Sequence, residues 1–216
     1  AKPSAFYVRS LLSQRDCDAI KAMAHAANMT QARTYGGGTT ARTKCEVTWI
    51  SPPPALTADV AGMFFSPEAL ERPGGGCEDL QVLRYLQGGG YSMHHDGNAR
   101  ALTVLYYLNG VGETWLPLAD APPRPTNGED AMARAAELDP DTDGVRVTAP
   151  AAGDALAFFS LDDTDGSYDW SAVHRALPST GEKWVANHWF RIGGLGAPTP
   201  DPVSYTHLTL PTKCSV

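Results

Sequence analysis

The sequence predicts a mainly β domain, a barrel or jelly roll of short strands buttressed by helices near the N-terminus. Helical periodicity dominates the first third of the chain, and short apolar, β-branched runs fill the part from residue 78 onward. Clusters of Gly, Pro, Asn and Asp separate these runs. Helices followed by many short strands are typical of an antiparallel sheet that closes on itself or packs in two layers.

Residues 1–77 predict a helical support for the sheet. Ser13 is a candidate N-cap with Asp16 three positions later, and an apolar stripe with spacings of three and four follows it. This pattern predicts a helix over residues 14–27. The other elements predicted here are a strand at 5–9, a loop at 36–40, a strand at 45–50 and a second helix at 56–65.

Residues 78–194 predict the barrel, so that one domain spans residues 1–194. Residues 120–143 interrupt the strands with prolines and a charged, alanine-rich stretch, which predicts a surface insertion with one short helix at 129–137. Residues 195–216 are predicted to be a tail outside the domain, and residues 203–216 fit nothing in the preceding pattern. The predicted strands are 80–85, 102–108, 145–147, 155–159 and 183–191.

Composition restricts the partners of the protein. The net charge of −7 and the lack of a basic stripe argue against nucleic acid as a partner. No apolar run approaches the ~20 residues that span a bilayer, and the first residues contain no signal-peptide core. None of the four cysteines has Cys-x-x-Cys spacing, which disfavours a zinc site. The sequence leaves open the disulfide state of the four cysteines, Cys17, Cys45, Cys77 and Cys214. It also leaves open the oligomeric state and the cellular compartment of the protein.

His94 and Asp96 are candidate metal ligands. Side chains two positions apart in a strand point to one face, so both can reach one metal while His95 points the other way. Two histidines and one carboxylate form the ligand set of iron sites that keep three metal positions open. The His-x-Asp motif taken alone is weak evidence for a metal site, because the same residues could simply form a polar turn before Gly97.

Strand parity selects the third ligand. In the predicted strand 183–191, Lys183 lies on one face and His188 on the other. If Lys183 faces the pocket, His188 is a packed core histidine, and His174 becomes the third ligand.

Lys183 is a candidate anion-binding residue. Most lysines are solvated surface charges, but this one begins a strongly apolar strand with Trp184 and Val185. A lysine inside a barrel needs an anion, since an unpaired buried charge costs several kcal/mol. The far carboxylate of 2-oxoglutarate would supply that anion, and Thr114 or Tyr85 could share it.

Several linked motifs resemble those of prolyl 4-hydroxylase catalytic subunits, over roughly residues 5–192. Such motifs in one order are far more specific than any of them alone. The matching segments are Glu78-x-Leu80-Gln81-Val82-Leu83-Arg84-Tyr85-x-x-Gly88-x-x-Tyr91-x-x-His94-x-Asp96, Arg100-x-x-Thr103-Val104-Leu105-x-Tyr107-Leu108-Asn109, Gly112-Glu113-Thr114-Trp115-Leu116-Pro117, Gly153-Asp154-Ala155-Leu156-x-Phe158 and His174…Pro178…Gly181-x-Lys183-Trp184…Trp189.

The resemblance implies a cupin-like double-stranded β-helix and a dioxygenase that uses Fe(II), 2-oxoglutarate and O₂, with ascorbate keeping the iron reduced. It implies hydroxylation of peptidyl proline to 4-hydroxyproline, release of succinate and CO₂, and a place in the endoplasmic reticulum or secretory pathway if the family habit holds. The implied roles are iron ligands at His94, Asp96 and His174, cosubstrate contacts at Lys183, Tyr85 and Thr114, a pocket wall at Trp189, and substrate contacts at Tyr91 and Arg100.

Three departures from the family pattern bear on the substrate. Gly89 stands where relatives often have Gln. Lys183 follows His174 by nine positions, one fewer than in collagen-type enzymes and closer to the spacing in oxygen-sensing prolyl hydroxylases. The stretch from Asp96 to Arg100 is shorter than the loop that covers the peptide in many relatives. Two alternatives therefore stay open: the same chemistry on another amino-acid or small-molecule substrate, and a non-catalytic cupin-like metal-binding module. The second would need no carboxylate clamp, so Lys183 argues against it.

Overall fold

The structure is a computed structural model, and every structural statement concerns the residues that it describes. The predicted loop at 36–40 and the predicted tail at 195–216, which includes Cys214, lie outside them. The described residues are 3–32, 42–71, 75–97, 99–148, 150–162 and 165–192.

Helices and strands of the described chain follow the predicted order. None of these helices has the length and apolar character that a membrane crossing requires. A 3-10 helix, Trp170–Ala172, precedes the tenth strand. The α-helices are α1 (Gln14–Ala26), α2 (Pro54–Phe64), α3 (Pro67–Glu71) and α4 (Gly128–Ala136). The strands are β1 (Ala5–Val8), β2 (Thr30–Gln31), β3 (Arg42–Ile50), β4 (Gly76–Cys77), β5 (Leu80–His94), β6 (Leu102–Tyr107), β7 (Thr114–Leu116), β8 (Val145–Val147), β9 (Ala155–Phe159), β10 (His174–Ala176) and β11 (Lys183–Arg191).

The described strands form one antiparallel sheet with helices packed on one face, which confirms the predicted mainly β fold with flanking helices. The main strand order is β1-β9-β6-β11-β5-β10-β7-β8, and β3 pairs with β5. Apolar clusters cover both faces of the sheet. The outer cluster packs α1 and α2 on the strands through Ile20 and Phe64. The inner cluster includes Tyr85, Tyr107 and Phe158.

The first two helices begin as their sequences dictate. The side chain of Ser13 caps α1 by accepting from the amide of Asp16, and the Asp16 carboxylate accepts from the Ser13 amide in return. α2 begins at Pro54, two residues before the predicted start, because the first helical position tolerates a proline that has no N–H. The residues of α1 that face the sheet are Cys17, Ile20 and Ala24.

The long strand β5 changes partners along its length, and this change builds the site. Its first part, as far as Tyr85, pairs with both β3 and β11. Its last part pairs with β10, so that His94 lies directly opposite His174. The sequence predicted an end at residue 85 because a run of glycines indicated a turn, but the strand continues through them.

Close backbone packing explains those glycines. Gly88 has a φ of +75°, which L side chains rarely adopt. A Cβ on Gly89 would lie 2.8 Å from the carbonyl oxygens of both Leu86 and Lys44. The departure from the family at position 89 is therefore a packing requirement of β5 against β3.

The insertion at 120–143 contains α4, which packs inward on one face. Ala131 and Ala135, four positions apart, are buried in a small cluster with Leu118 and Val173. Val173 directly precedes the predicted ligand His174, so α4 packs against the segment that leads into β10.

Candidate metal centre and cosubstrate pocket

The structure brings His94, Asp96 and His174 together, with one ligand atom from each within 4.8 Å of the others. Nε2 of His94 lies 3.6 Å from Oδ1 of Asp96, and Nε2 of His174 lies 3.9 Å from Oδ2. His94 is the last residue of β5, so Asp96 lies just beyond the strand rather than within it.

Backbone carbonyls orient both imidazole rings. Nδ1 of His94 is 2.9 Å from the carbonyl oxygen of Ser92, and Nδ1 of His174 is 3.0 Å from that of Ala172. A carbonyl can only accept, so each Nδ1 carries a ring proton, which leaves Nε2 as the nitrogen with a lone pair when the ring is neutral. Each Nε2 lies within 4 Å of an Asp96 carboxylate oxygen, and this tautomer is the one that metal ligation by Nε2 requires.

Two donors from neighbouring strands hold the Asp96 carboxylate. The hydroxyl of Thr103 on β6 donates to Oδ2 at 2.5 Å, and the indole N–H of Trp189 on β11 donates to the same oxygen at 3.1 Å. Such bonds to a ligating carboxylate fix its direction. Trp189, predicted to line the pocket, therefore contacts a candidate metal ligand directly.

Electrostatics keep Asp96 and His174 in the protonation states that bind metal. Burial by itself would raise the pKa of Asp96, but His174, His94 and the Thr103 hydroxyl outweigh it and hold that pKa well below its usual range. Burial lowers the pKa of His174 to about 4. At neutral pH the site thus combines a carboxylate with a neutral imidazole, as divalent metals need.

Lys183 lies inside the barrel, the condition on which the choice of His174 over His188 depended, with 1% of its surface exposed. Its Nζ donates to the carbonyl oxygen of Glu113 at 3.0 Å and lies 5.7 Å and 5.9 Å from the ring centroids of Tyr85 and Tyr107. Burial lowers the pKa of Lys183 to about 8. An ammonium has three N–H donors, and the described part of the chain offers it one oxygen acceptor, so the pocket suits an anion.

The predicted partners of Lys183 lie at the same end of the pocket. Tyr85 is buried beside the ammonium, and Thr114 accepts a hydrogen bond from the hydroxyl of Tyr107 at 2.8 Å. Gly112 lets the chain pass close to the lysine, because a Cβ there would lie 2.2 Å from Cδ of Lys183. The lysine stem is thereby confined by the backbone that crosses it.

Both predicted substrate residues border the metal ligands. The ring of Tyr91 lies 3.9 Å from that of His94, and the guanidinium of Arg100 lies 3.6 Å from the ring centroid of Trp189. Arg100 also makes two 2.8 Å hydrogen bonds to the carboxylate of Glu78. Much of the donor capacity of Arg100 is therefore engaged within the protein.

Sequence reasoning missed three residues of the site. Thr103 and Tyr107 lie on one face of β6, so the alternation that placed Lys183 could also have found them. Arg42 lies over the Tyr91 ring at 4.2 Å and donates to Oε1 of Gln81 at 3.1 Å. No local signal predicts Arg42, because these contacts depend on the pairing of β3 with β5.

The donor set and the buried cation fit Fe(II) together with 2-oxoglutarate. Two neutral imidazoles and a carboxylate from one side of a metal are the ligands that non-haem iron oxygenases use. A buried ammonium on the inner face of the same sheet suits a dicarboxylate whose other end binds the metal.

Comparison with known proteins gives the same class. Residues 80–191 match the profile of the 2OG-Fe(II) oxygenase superfamily, and the chain belongs to this family. The matched segment contains all three candidate ligands and Lys183.

Two relatives and one solved structure are informative. Prolyl 4-hydroxylase 2 of Arabidopsis thaliana is 37% identical over 131 residues, which cover 53% of this chain and 42% of that protein. Prolyl 4-hydroxylase 13 of the same plant is 27% identical over 208 residues, which cover 88% of this chain and 71% of that protein. The viral collagen prolyl hydroxylase of Paramecium Bursaria Chlorella virus-1, solved with 2-oxoglutarate, has a TM-score of 0.61 at 21% identity, over 87% of this chain and 96% of that one.

These likenesses confirm a double-stranded β-helix of the 2-oxoglutarate oxygenase type and a chain similar to prolyl 4-hydroxylases. The chain spans less than half the length of several curated relatives that it matches. Family membership implies Fe(II) and 2-oxoglutarate as cofactor and cosubstrate.

Proposed function

We propose that this chain hydroxylates peptidyl proline to 4-hydroxyproline, consuming 2-oxoglutarate and O₂ and releasing succinate and CO₂. The observation that carries the proposal is the combination of the His94, Asp96 and His174 triad with the buried ammonium of Lys183 on the inner face of one sheet. The likeness to plant prolyl 4-hydroxylases supports proline as the target.

The side chains of the pocket bind and orient the reactants. Bound Fe(II) supplies the oxidative chemistry, in which decarboxylation of 2-oxoglutarate is coupled to oxygen insertion into a C–H bond. Lys183 neutralises the far carboxylate of 2-oxoglutarate, and Glu113 holds the ammonium in place through its carbonyl. Thr103 and Trp189 keep the Asp96 carboxylate directed at the metal. Ascorbate serves as the external reductant that maintains Fe(II).

The surroundings of the triad suit a proline-containing peptide. Tyr91 and the exposed Trp49 present aromatic surface near the triad, and the Trp49 ring lies 5.7 Å from that of the buried Trp189. A proline ring is apolar and rigid, so it packs on aromatic faces with little loss of entropy.

A panel of proline-rich and collagen-like peptides tests the proposal. The protein is incubated with Fe(II), 2-oxoglutarate and ascorbate, and each peptide is examined by mass spectrometry for the gain of one oxygen atom. We expect oxygen gain at proline, identified as 4-hydroxyproline after hydrolysis, and succinate formation that the peptide stimulates. Asp96→Ala, which removes the carboxylate ligand, should form neither product.

The alternatives give different results in the same assay. Succinate formation without oxygen gain in any peptide would indicate another substrate. The short stretch between Asp96 and Arg100, which departs from the family pattern, is consistent with this alternative. An absence of both products with the wild-type protein would support a metal-binding module without turnover.

A further inference from the structure

His95 lies between the ligands His94 and Asp96, and its side chain points away from the metal centre into a polar and aromatic pocket. Its ring is partly buried between Tyr168 and Trp170, at centroid distances of 5.4 Å and 4.9 Å.

Two hydrogen bonds hold the His95 ring, one at each nitrogen. The amide of Gly97 donates to Nδ1 at 3.0 Å, and Nε2 lies 3.1 Å from the carbonyl oxygen of Asp169. Because an amide only donates and a carbonyl only accepts, Nδ1 is unprotonated and Nε2 carries the ring proton. The bond to Gly97 closes the backbone around Asp96, which lies between the two bonded residues.

The carbonyl of Asp169 also belongs to the segment that orients His174. The same oxygen accepts from the amide of Ala172 at 2.9 Å, which forms the 3-10 helix, and the Asp169 side chain caps this helix through the amide of Ser171 at 3.0 Å. The carbonyl of Ala172 in turn accepts from Nδ1 of His174. A short chain of hydrogen bonds therefore joins the turn that carries Asp96 to the ring of His174.

We propose that His95 is a positioning residue that couples the two ligand-bearing segments and thereby sets the metal affinity of the triad. The sheet alone aligns them weakly, because the pairing of β10 with β5 shifts register directly after the His174 and His94 pair. The proposal rests on the metal site and is independent of the substrate. Residues that hold metal ligands typically change metal affinity by roughly 10- to 100-fold when they are replaced.

Two substitutions distinguish the hydrogen bond from His95 to Asp169 from the hydrogen bond that His95 accepts from Gly97. In His95→Asn, the side-chain oxygen still reaches the Gly97 amide, as in an Asx turn, but the shorter side chain loses Asp169. In His95→Gln, the longer amide still donates to the Asp169 carbonyl. Ni(II), which is stable in air and binds imidazole well, is titrated calorimetrically into the metal-free full chain.

We expect Ni(II) affinity to fall roughly 10- to 100-fold in His95→Asn and to stay within about threefold of wild type in His95→Gln. The Michaelis constant for 2-oxoglutarate at saturating Fe(II) should not change, because the Lys183 pocket is untouched. His25→Asn, an identical exchange at an exposed position of α1, is the matched control and should bind as wild type does. Unfolding midpoints of the metal-free variants show that each one is folded.

Two outcomes overturn the proposal. Wild-type affinity in His95→Asn would mean that the bond to Asp169 is dispensable, and equal losses in both variants would assign the effect to ring packing between Tyr168 and Trp170. Nitrogen NMR of the histidine-labelled wild-type protein tests the geometry without any variant. We expect the His95 proton on Nε2, and a proton on Nδ1 would also overturn the proposal.

Discussion

At the scale of single residues, contacts from four strands meet at Asp96. His94 and His174 flank its carboxylate, and Thr103 and Trp189 donate hydrogen bonds to one of its oxygens. A buried carboxylate is costly unless donors or cations surround it. These contacts therefore both stabilise the charge and limit the directions in which the carboxylate can bind a metal.

Thr103→Val tests this restriction, because it removes the hydroxyl but keeps the shape of the side chain. We expect Fe(II) affinity, measured by anaerobic titration, to fall roughly 10- to 100-fold. Thr103→Ser restores the hydroxyl and should recover most of the affinity. An unchanged affinity in Thr103→Val would mean that Trp189 alone orients the carboxylate.

Lys183 should make 2-oxoglutarate binding depend on pH. Burial lowers the pKa of its ammonium to about 8, so the charged form is present below that pH and is lost as the pH rises through it. The Michaelis constant for 2-oxoglutarate should then rise about tenfold per pH unit above that value. Lys183→Arg keeps a cation that does not titrate, so its Michaelis constant should stay flat over the same range. A flat wild-type profile would contradict the assignment.

At the scale of elements, β11 divides its residues between two functions. Lys183 and Trp189 face the site, while Trp184 and Phe190 pack in the outer cluster with the helices. The parity of one strand thus supplies both the proposed cosubstrate contact and part of the core. The crossing segment at Gly112 confines the lysine stem from the other side.

Gly112→Ala tests that confinement. The residue has a φ of +91°, and a Cβ would lie 2.2 Å from Cδ of Lys183, so the lysine must shift. We expect the Michaelis constant for 2-oxoglutarate to rise roughly 10- to 100-fold. Gly62→Ala is the control, because nothing lies within 4 Å of the added Cβ and the position is helical. This control should raise stability by about 0.5–1 kcal/mol. A lower unfolding midpoint in Gly112→Ala with an unchanged Michaelis constant would show only a structural role.

At the scale of the whole molecule, the sheet separates a reactive inner face from an outer core that the helices cover. The outer core contains His188, which is fully buried. Its Nδ1 lies 3.0 Å from the hydroxyl oxygen of Tyr106. Its Nε2 has no hydrogen-bond partner among the described residues. Burial lowers the pKa of His188 to about 4, so the folded protein favours the neutral ring.

Acid should therefore destabilise the fold through His188. The unfolded chain takes up this proton near pH 6.5, whereas the folded chain takes it up near pH 4, so the free energy of unfolding falls between these values. The loss should reach about 3 kcal/mol. His188→Asn keeps an acceptor for Tyr106 and should flatten the pH dependence by one proton, measured by denaturant unfolding of the metal-free protein. Parallel curves for the two proteins would contradict this expectation.

Local sequence pattern was sufficient to predict part of this architecture. The helix α1 follows from its capping residues and apolar stripe, and the faces of β11 follow from alternation, since neither depends on distant contacts. The path of β5 through three glycines did not follow from local pattern. A glycine run indicates a turn by itself, and only the carbonyl groups of Lys44 and Leu86 packed against Gly89 show why the strand needs glycine there.

The sequence alone determined which groups carry the proposed chemistry, because the spacing of His94 and Asp96 and the parity around Lys183 are properties of a single strand or turn. Tertiary structure alone decided how these groups are held. The hydroxyl of Thr103, the carbonyl of Glu113 and the ring of His95 act across segments far apart in the chain, and such contacts exist only once the strands are paired.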